Sequence, residues 1–74
     1  MKYDISNDMH VHRARNRWTQ QDLADHSGLS KNHVHMIEVG KVTPNLDSCF
    51  AIARAFGVGI EEIWTADEYE EEEC

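Results

Sequence analysis

The chain has 74 residues and a formal net charge of −7. A chain this short buries only about 60% of its unfolded surface and has room for one core. It carries no apolar run near the roughly 18 residues that span a bilayer, and its first twenty residues are polar rather than a signal peptide, so a cytoplasmic protein is expected. Two cysteines, Cys49 in an apolar stretch and Cys74 at the end, give no disulfide framework and read as reduced thiols.

One proline, no strand-like alternation and apolar residues at helical spacing predict an all-α fold of five short helices. The first covers about 7–16, with Ile5, Met9 and His12 along one side. Thr19-Gln20-Gln21-Asp22 has the form of a capping box and opens a second helix that runs to Ser27 and stops at Gly28. Ser30 caps a third helix to about Val39, stopped by Gly40. Residues 41–45 read as a loop, with Pro44 setting the approach to a fourth helix at about 46–56, ended by Gly57. A last short helix at about 60–65 offers Ile60, Ile63 and Trp64. Beyond Ala66 an acidic run, residues 67–74, is expected to be disordered, because like charges repel and only Tyr69 can anchor it. The folded domain is therefore expected to span residues 1–66.

Divided along the chain, the charge is uneven. Residues 1–66 hold all seven basic groups (Lys2, Arg13, Arg15, Arg17, Lys31, Lys41 and Arg54), nearly balanced by acids, whereas Asp67, Glu68 and Glu70 to Glu73 supply six negatives. A near-neutral body is compatible with a nucleic-acid partner, since phosphate neutralisation is local.

Two helices of about nine residues joined by the turn His26-Ser27-Gly28-Leu29-Ser30 have the spacing of a DNA-binding helix-turn-helix, whose second helix enters the major groove. Spacing of this kind also occurs in ordinary helical corners. On a helical wheel Ser30, Val34 and Ile37 point inward, Asn32, His35, Met36 and Val39 point outward, and Lys31 and His33 lie on the flanks. Asn bonds adenine in two places, Lys donates to guanine or phosphate, His donates or accepts at a base edge, and Met packs on a thymine methyl. His35 and Val39 are equally compatible with a merely solvated face.

The ordered set Trp18-Thr19-Gln20-Gln21-Asp22-Leu23-Ala24, Gly28-Leu29-Ser30-Lys31, Ile37-Glu38-Val39-Gly40-Lys41, Pro44-Asn45-Leu46 and Ile52-Ala53-Arg54-Ala55-Phe56-Gly57-Val58 closely resembles the Cro/phage-repressor, or xenobiotic-response-element, family of helix-turn-helix domains. The resemblance covers about 5–65 and implies a compact five-helix, lambda-repressor-like domain with its recognition helix at about 30–39. It also implies that Gln20 grips a phosphate, that Lys41 meets the backbone, and that Arg13 and Glu38 form a buried pair joining the first and third helices. The DNA-facing set is then Thr19, Gln20, Lys31, Asn32, His33, His35, Met36 and Lys41. Arg17 stands where the family often has glycine, and His12 where it usually has leucine.

These readings predict a sequence-specific regulator, a repressor in its simplest form, that binds double-stranded DNA as a homodimer through Ile60, Ile63 and Trp64. No cofactor is expected, nor a small-molecule effector, since no effector domain is attached. His10 with His12, and His33 with His35, diverge by about 200° on a helix and cannot share a metal ion. No nucleophile elbow or glycine-rich phosphate loop suggests an enzyme. The rival is a protein-interaction module, such as an antitoxin or anti-repressor, whose acidic tail mimics DNA.

Overall fold

The computed structural model describes residues 2–69. In chain order it comprises strand β1 (Lys2–Asn7), helices α1 (Met9–Asn16), α2 (Gln20–Ser27), α3 (Lys31–Glu38) and α4 (Leu46–Phe56), a single 3-10 turn (Ile60–Glu62), and strand β2 (Trp64–Tyr69). The expected all-α, five-helix architecture is thus corrected to four helices and a two-stranded antiparallel ribbon that joins the two ends of the described chain. The ribbon pairs Ile5 with Ala66, Ser6 with Thr65 and Asn7 with Trp64. The segment expected as a fifth helix is one 3-10 turn followed by strand. Asp67 to Tyr69, expected in a free tail, continue β2, and residues 70–74 lie outside the described residues.

Local chemistry starts and stops each helix. Thr19 Oγ1 accepts from the Asp22 amide at 3.1 Å while the Asp22 carboxylate accepts from the Thr19 amide at 2.9 Å, the reciprocal box read from the sequence. Ser30 and Asn45 cap α3 and α4 by accepting from the amides of His33 and Ser48. Gly28, at φ 78°, makes the left-handed turn that swings the chain from α2 into α3. Arg17 does the same between α1 and α2 at φ 57°, a conformation that an L side chain adopts only at a cost.

The core is small and continuous. Met9, Leu23, Ala24, Val34, Ile37, Ile52, Ala53 and Ile63 are buried in it, with Trp18, Leu29, Phe56 and Trp64 packed around them. Full burial of each Leu or Ile side chain contributes about 1.5–3 kcal/mol. Four rings run in a row across it: His12 to Phe56 at 5.3 Å, Phe56 to Trp18 at 5.5 Å and Trp18 to His26 at 4.2 Å. His12 is buried, and its Nε2 lies 3.0 Å from the carbonyl of Glu62, so this polar ring on an apolar face has a partner.

Asn7 ties the ribbon to the helices. Its amide nitrogen donates to the carbonyls of Ile37 and Glu38 at the end of α3, and its Oδ1 accepts from the Met9 amide at the start of α1. The Asp8 amide donates to the Ile63 carbonyl at 2.8 Å, which closes the other side of the junction. The ribbon base is therefore fixed to the far end of the helix that follows the turn.

Candidate nucleic-acid interface

The alternation of buried and exposed residues along α3 follows its amphipathic pattern. Val34 and Ile37 enter the core, while Lys31, Asn32, His35 and Val39 are exposed and Met36 is half-buried. Asn32 and Met36 line an open groove of about 390 Å³ with Ser30, His33, Val42, Thr43 and Asn45. One wall is thus the outer face of α3 and the other is the loop leading to α4. That loop folds back on the helix, since the amide of Lys41 donates to the carbonyl of Met36 at 3.0 Å. Lys41 is exposed immediately beyond the helix.

His33, expected on the flank of the reading face, is half-buried and turned toward α4, where its Nε2 lies 3.4 Å from Oγ of the buried Ser48. Its contact therefore braces α3 against α4. The wheel placed His33 at the margin of the face but carried no information on which neighbouring helix would offer it a partner.

Behind α3 lies the charged centre of the fold. Arg13 Nε donates to Glu38 Oε1 at 2.7 Å and Arg13 Nη2 to Oε2 at 3.0 Å, a two-pronged pair. Arg13 Nη1 also donates to the carbonyl of Trp18 at 3.1 Å, so one guanidinium links α1, the turn before α2, and α3. Burial pushes the Glu38 carboxyl up, but the hydrogen bonds from Arg13 and Gln20 and the Arg13 charge together outweigh it and hold it below its ordinary value. Gln20, at the first position of α2, donates from Nε2 to Glu38 Oε2 at 2.7 Å. Thr19 beside it is exposed and spends its hydroxyl oxygen on the cap.

Of the three residues expected at a dimer contact, Ile63 is corrected. It has no exposed surface, because the 3-10 turn folds it into the core of a single chain. Ile60 and Trp64 are half-buried against that core. Among the described residues the exposed large apolar ones are instead Ile5, Val39, Val42, Leu46 and Phe50. Ile5, Val42 and Trp64 share the lining of a small hollow of about 80 Å³ beside Pro44. Local patterning carries little sign of this cluster, because Ile5 reaches it only through the ribbon.

Cys49 is half-buried, and burial pushes its thiol up, away from the reactive thiolate. No helix among the described residues is long and apolar enough to cross a membrane.

Comparison with known proteins agrees with the geometry. A helix-turn-helix family model matches residues 12–63. An uncharacterised HTH-type transcriptional regulator of Methanocaldococcus jannaschii is 41% identical over 69 residues, which are 93% of this chain and all of that protein. Another from Archaeoglobus fulgidus is 38% identical over 58 residues, 78% of this chain and 82% of the relative. Among solved structures, the hypothetical transcription factor NHTF from Neisseria superposes with a TM-score of 0.70 at 28% identity, covering 73% of this chain. This chain spans 61% of that protein's length. A structure from Bacteroides fragilis has a TM-score of 0.73 over 84% of this chain at 24% identity, a likeness of fold alone. With a model match over 52 of its 74 residues, carried by the capped turn and the helices on either side of it, the chain belongs to the helix-turn-helix family of the xenobiotic-response-element type.

Proposed function

We propose that the chain is a sequence-specific, homodimeric transcriptional repressor that lays α3 into the major groove of a pseudo-palindromic operator. One observation supports this most strongly: α3 is held from behind by the Arg13–Glu38 pair and presents an outer face on which Lys31, Asn32 and His35 are exposed and Met36 is half-buried. A rigid helix with a free polar face is what base readout requires. Asn32 reads a base edge, Met36 packs beside it, and Lys31 and Lys41 meet phosphates. Thr19 approaches the backbone at the start of α2, and His33 orients α3 through Ser48.

Dimerisation supplies the second recognition helix, since a single small module buries only about 600–1,000 Å² on DNA. We assign the contact to Trp64 and Ile60, extended by the exposed neighbours Ile5 and Val42. Selection of bound duplexes from a random pool tests the function, with the expected product a pair of inverted half-sites about 10 base pairs apart, centre to centre. Enrichment of single half-sites argues against the dimer, and no enrichment argues against specific binding. Sedimentation of Val42→Asp, at an exposed position, tests the contact: a folded monomer is expected, and an unchanged dimer moves the interface elsewhere.

A further inference from the structure

The side chains around Glu38 continue past the ion pair to the outer face of α3. Gln20 Nε2, 2.7 Å from Glu38 Oε2, also lies 3.3 Å from Nδ1 of His35, whose ring is exposed. Charge fixes every direction along this chain. Arg13 can only donate, and the ionised Glu38 can only accept. Turning the Gln20 amide oxygen toward Glu38 would press two acceptors together at hydrogen-bond distance, so the nitrogen must face the carboxylate. The same nitrogen then offers its second hydrogen to His35. A ring nitrogen facing that donor must be an acceptor, which leaves the ring proton on Nε2.

We propose that Gln20 acts through His35 rather than on a phosphate, holding the ring in its Nε2–H form so that His35 meets DNA as a hydrogen-bond donor. The DNA role rests on the reading of α3 as the recognition helix. With both amide hydrogens engaged, Gln20 has only its oxygen left, and an amide oxygen does not bind a phosphate. A donor at His35 suits the base edges that carry acceptors in the major groove, guanine N7 and O6 foremost, and is refused by the amino group of cytosine. His35 is then a specificity residue and Gln20 a positioning residue, with the half-buried Arg13 setting the polarity of the whole relay.

Two measurements test it. In the free protein at about pH 8, where a free imidazole is neutral, the nitrogen NMR shifts of His35 report its tautomer. The Nε2–H form is expected in the wild type, with a shift toward a mixture in Gln20→Met, whose fold is checked by circular dichroism. An Nδ1–H ring in the wild type, or a tautomer that Gln20→Met leaves unchanged, overturns the relay whether or not DNA is bound. In selection from random duplexes, Gln20→Met and His35→Ala should lose preference at the same base pair, by about 2- to 10-fold, and the double variant should lose no more. Uniform weakening on all duplexes by Gln20→Met, with that preference intact, would return Gln20 to the phosphate and refute the proposal. A wild type that selects no sequence overturns the recognition-helix reading and with it the DNA role of His35, while the tautomer still decides the contact itself.

Discussion

Arg17 sits at φ 57° and ψ 40°, the only non-glycine at positive φ among the described residues. Its turn was readable as unusual because the family often has glycine there, yet only the backbone angles show that the chain accepts the left-handed conformation instead of reshaping the turn. Arg17→Gly removes that cost and should stabilise the protein by about 1 kcal/mol. Thermal unfolding should then shift upward by roughly 4–8 °C, and a lowered midpoint would show that the Arg17 side chain makes a compensating contact. Glu38 gives a second prediction. Its folded carboxyl titrates below its ordinary value, so on acidification the unfolded chain binds the proton first. The stabilisation is therefore present above the ordinary carboxylate range and is lost as pH falls through it toward the folded value. Glu38→Gln should be less stable by about 2–4 kcal/mol at neutral pH, since it strands Arg13, and should lose less further stability in acid than the wild type. Parallel acid limbs for the two proteins would remove Glu38 from the account of pH dependence.

At the scale of elements, the helices were legible because their boundaries rest on local chemistry. Thr19 with Asp22, Ser30 and Gly28 act within a few residues of themselves, and each reappears in the structure as the expected cap or turn; Asn45, expected only as the end of a loop, caps α4 as well. The ribbon was not legible for the opposite reason. Ile5 pairs with Ala66, and neither six-residue strand contains its partner's hydrogen-bonding groups within local reach. Tyr3 and Ile5 do alternate with polar residues, but a pattern that brief also fits the approach to a helix. The Arg13–Glu38 pair was accessible through resemblance alone, and the continuation from Glu38 through Gln20 to His35 through neither resemblance nor spacing. Asn7 joins the two kinds of element, so Asn7→Ala should loosen the ribbon and the end of α3 together. It should cost about 1–3 kcal/mol through the unpaired carbonyl of Glu38 and the unpaired Met9 amide, while the Ile37 carbonyl keeps its bond from the Gly40 amide. Hydrogen exchange should accelerate in β1 and β2 as well as in the last turn of α3. Acceleration confined to the ribbon would mean that Asn7 does not brace the helix.

For the molecule as a whole, the acidic excess opposes a polyanionic partner and the geometry of α3 must overcome it locally. Glu70 to Glu73 carry four of the fourteen acids at one end of the chain. Deleting residues 70–74 should strengthen binding at low ionic strength, more for random DNA than for the operator. The gain should fade as the Debye length shrinks to about 8 Å at 0.15 M salt. Equal affinities for random DNA at low salt would leave the run without an electrostatic role. The central claim, that the outer face of α3 reads bases, is tested most directly at Asn32, which is exposed on that face and lines the groove with Met36. With the selected operator and a scrambled duplex measured side by side, Asn32→Ala should lose about 1–3 kcal/mol on the operator and almost nothing on the scrambled duplex. Equal losses on the two DNAs would contradict the account.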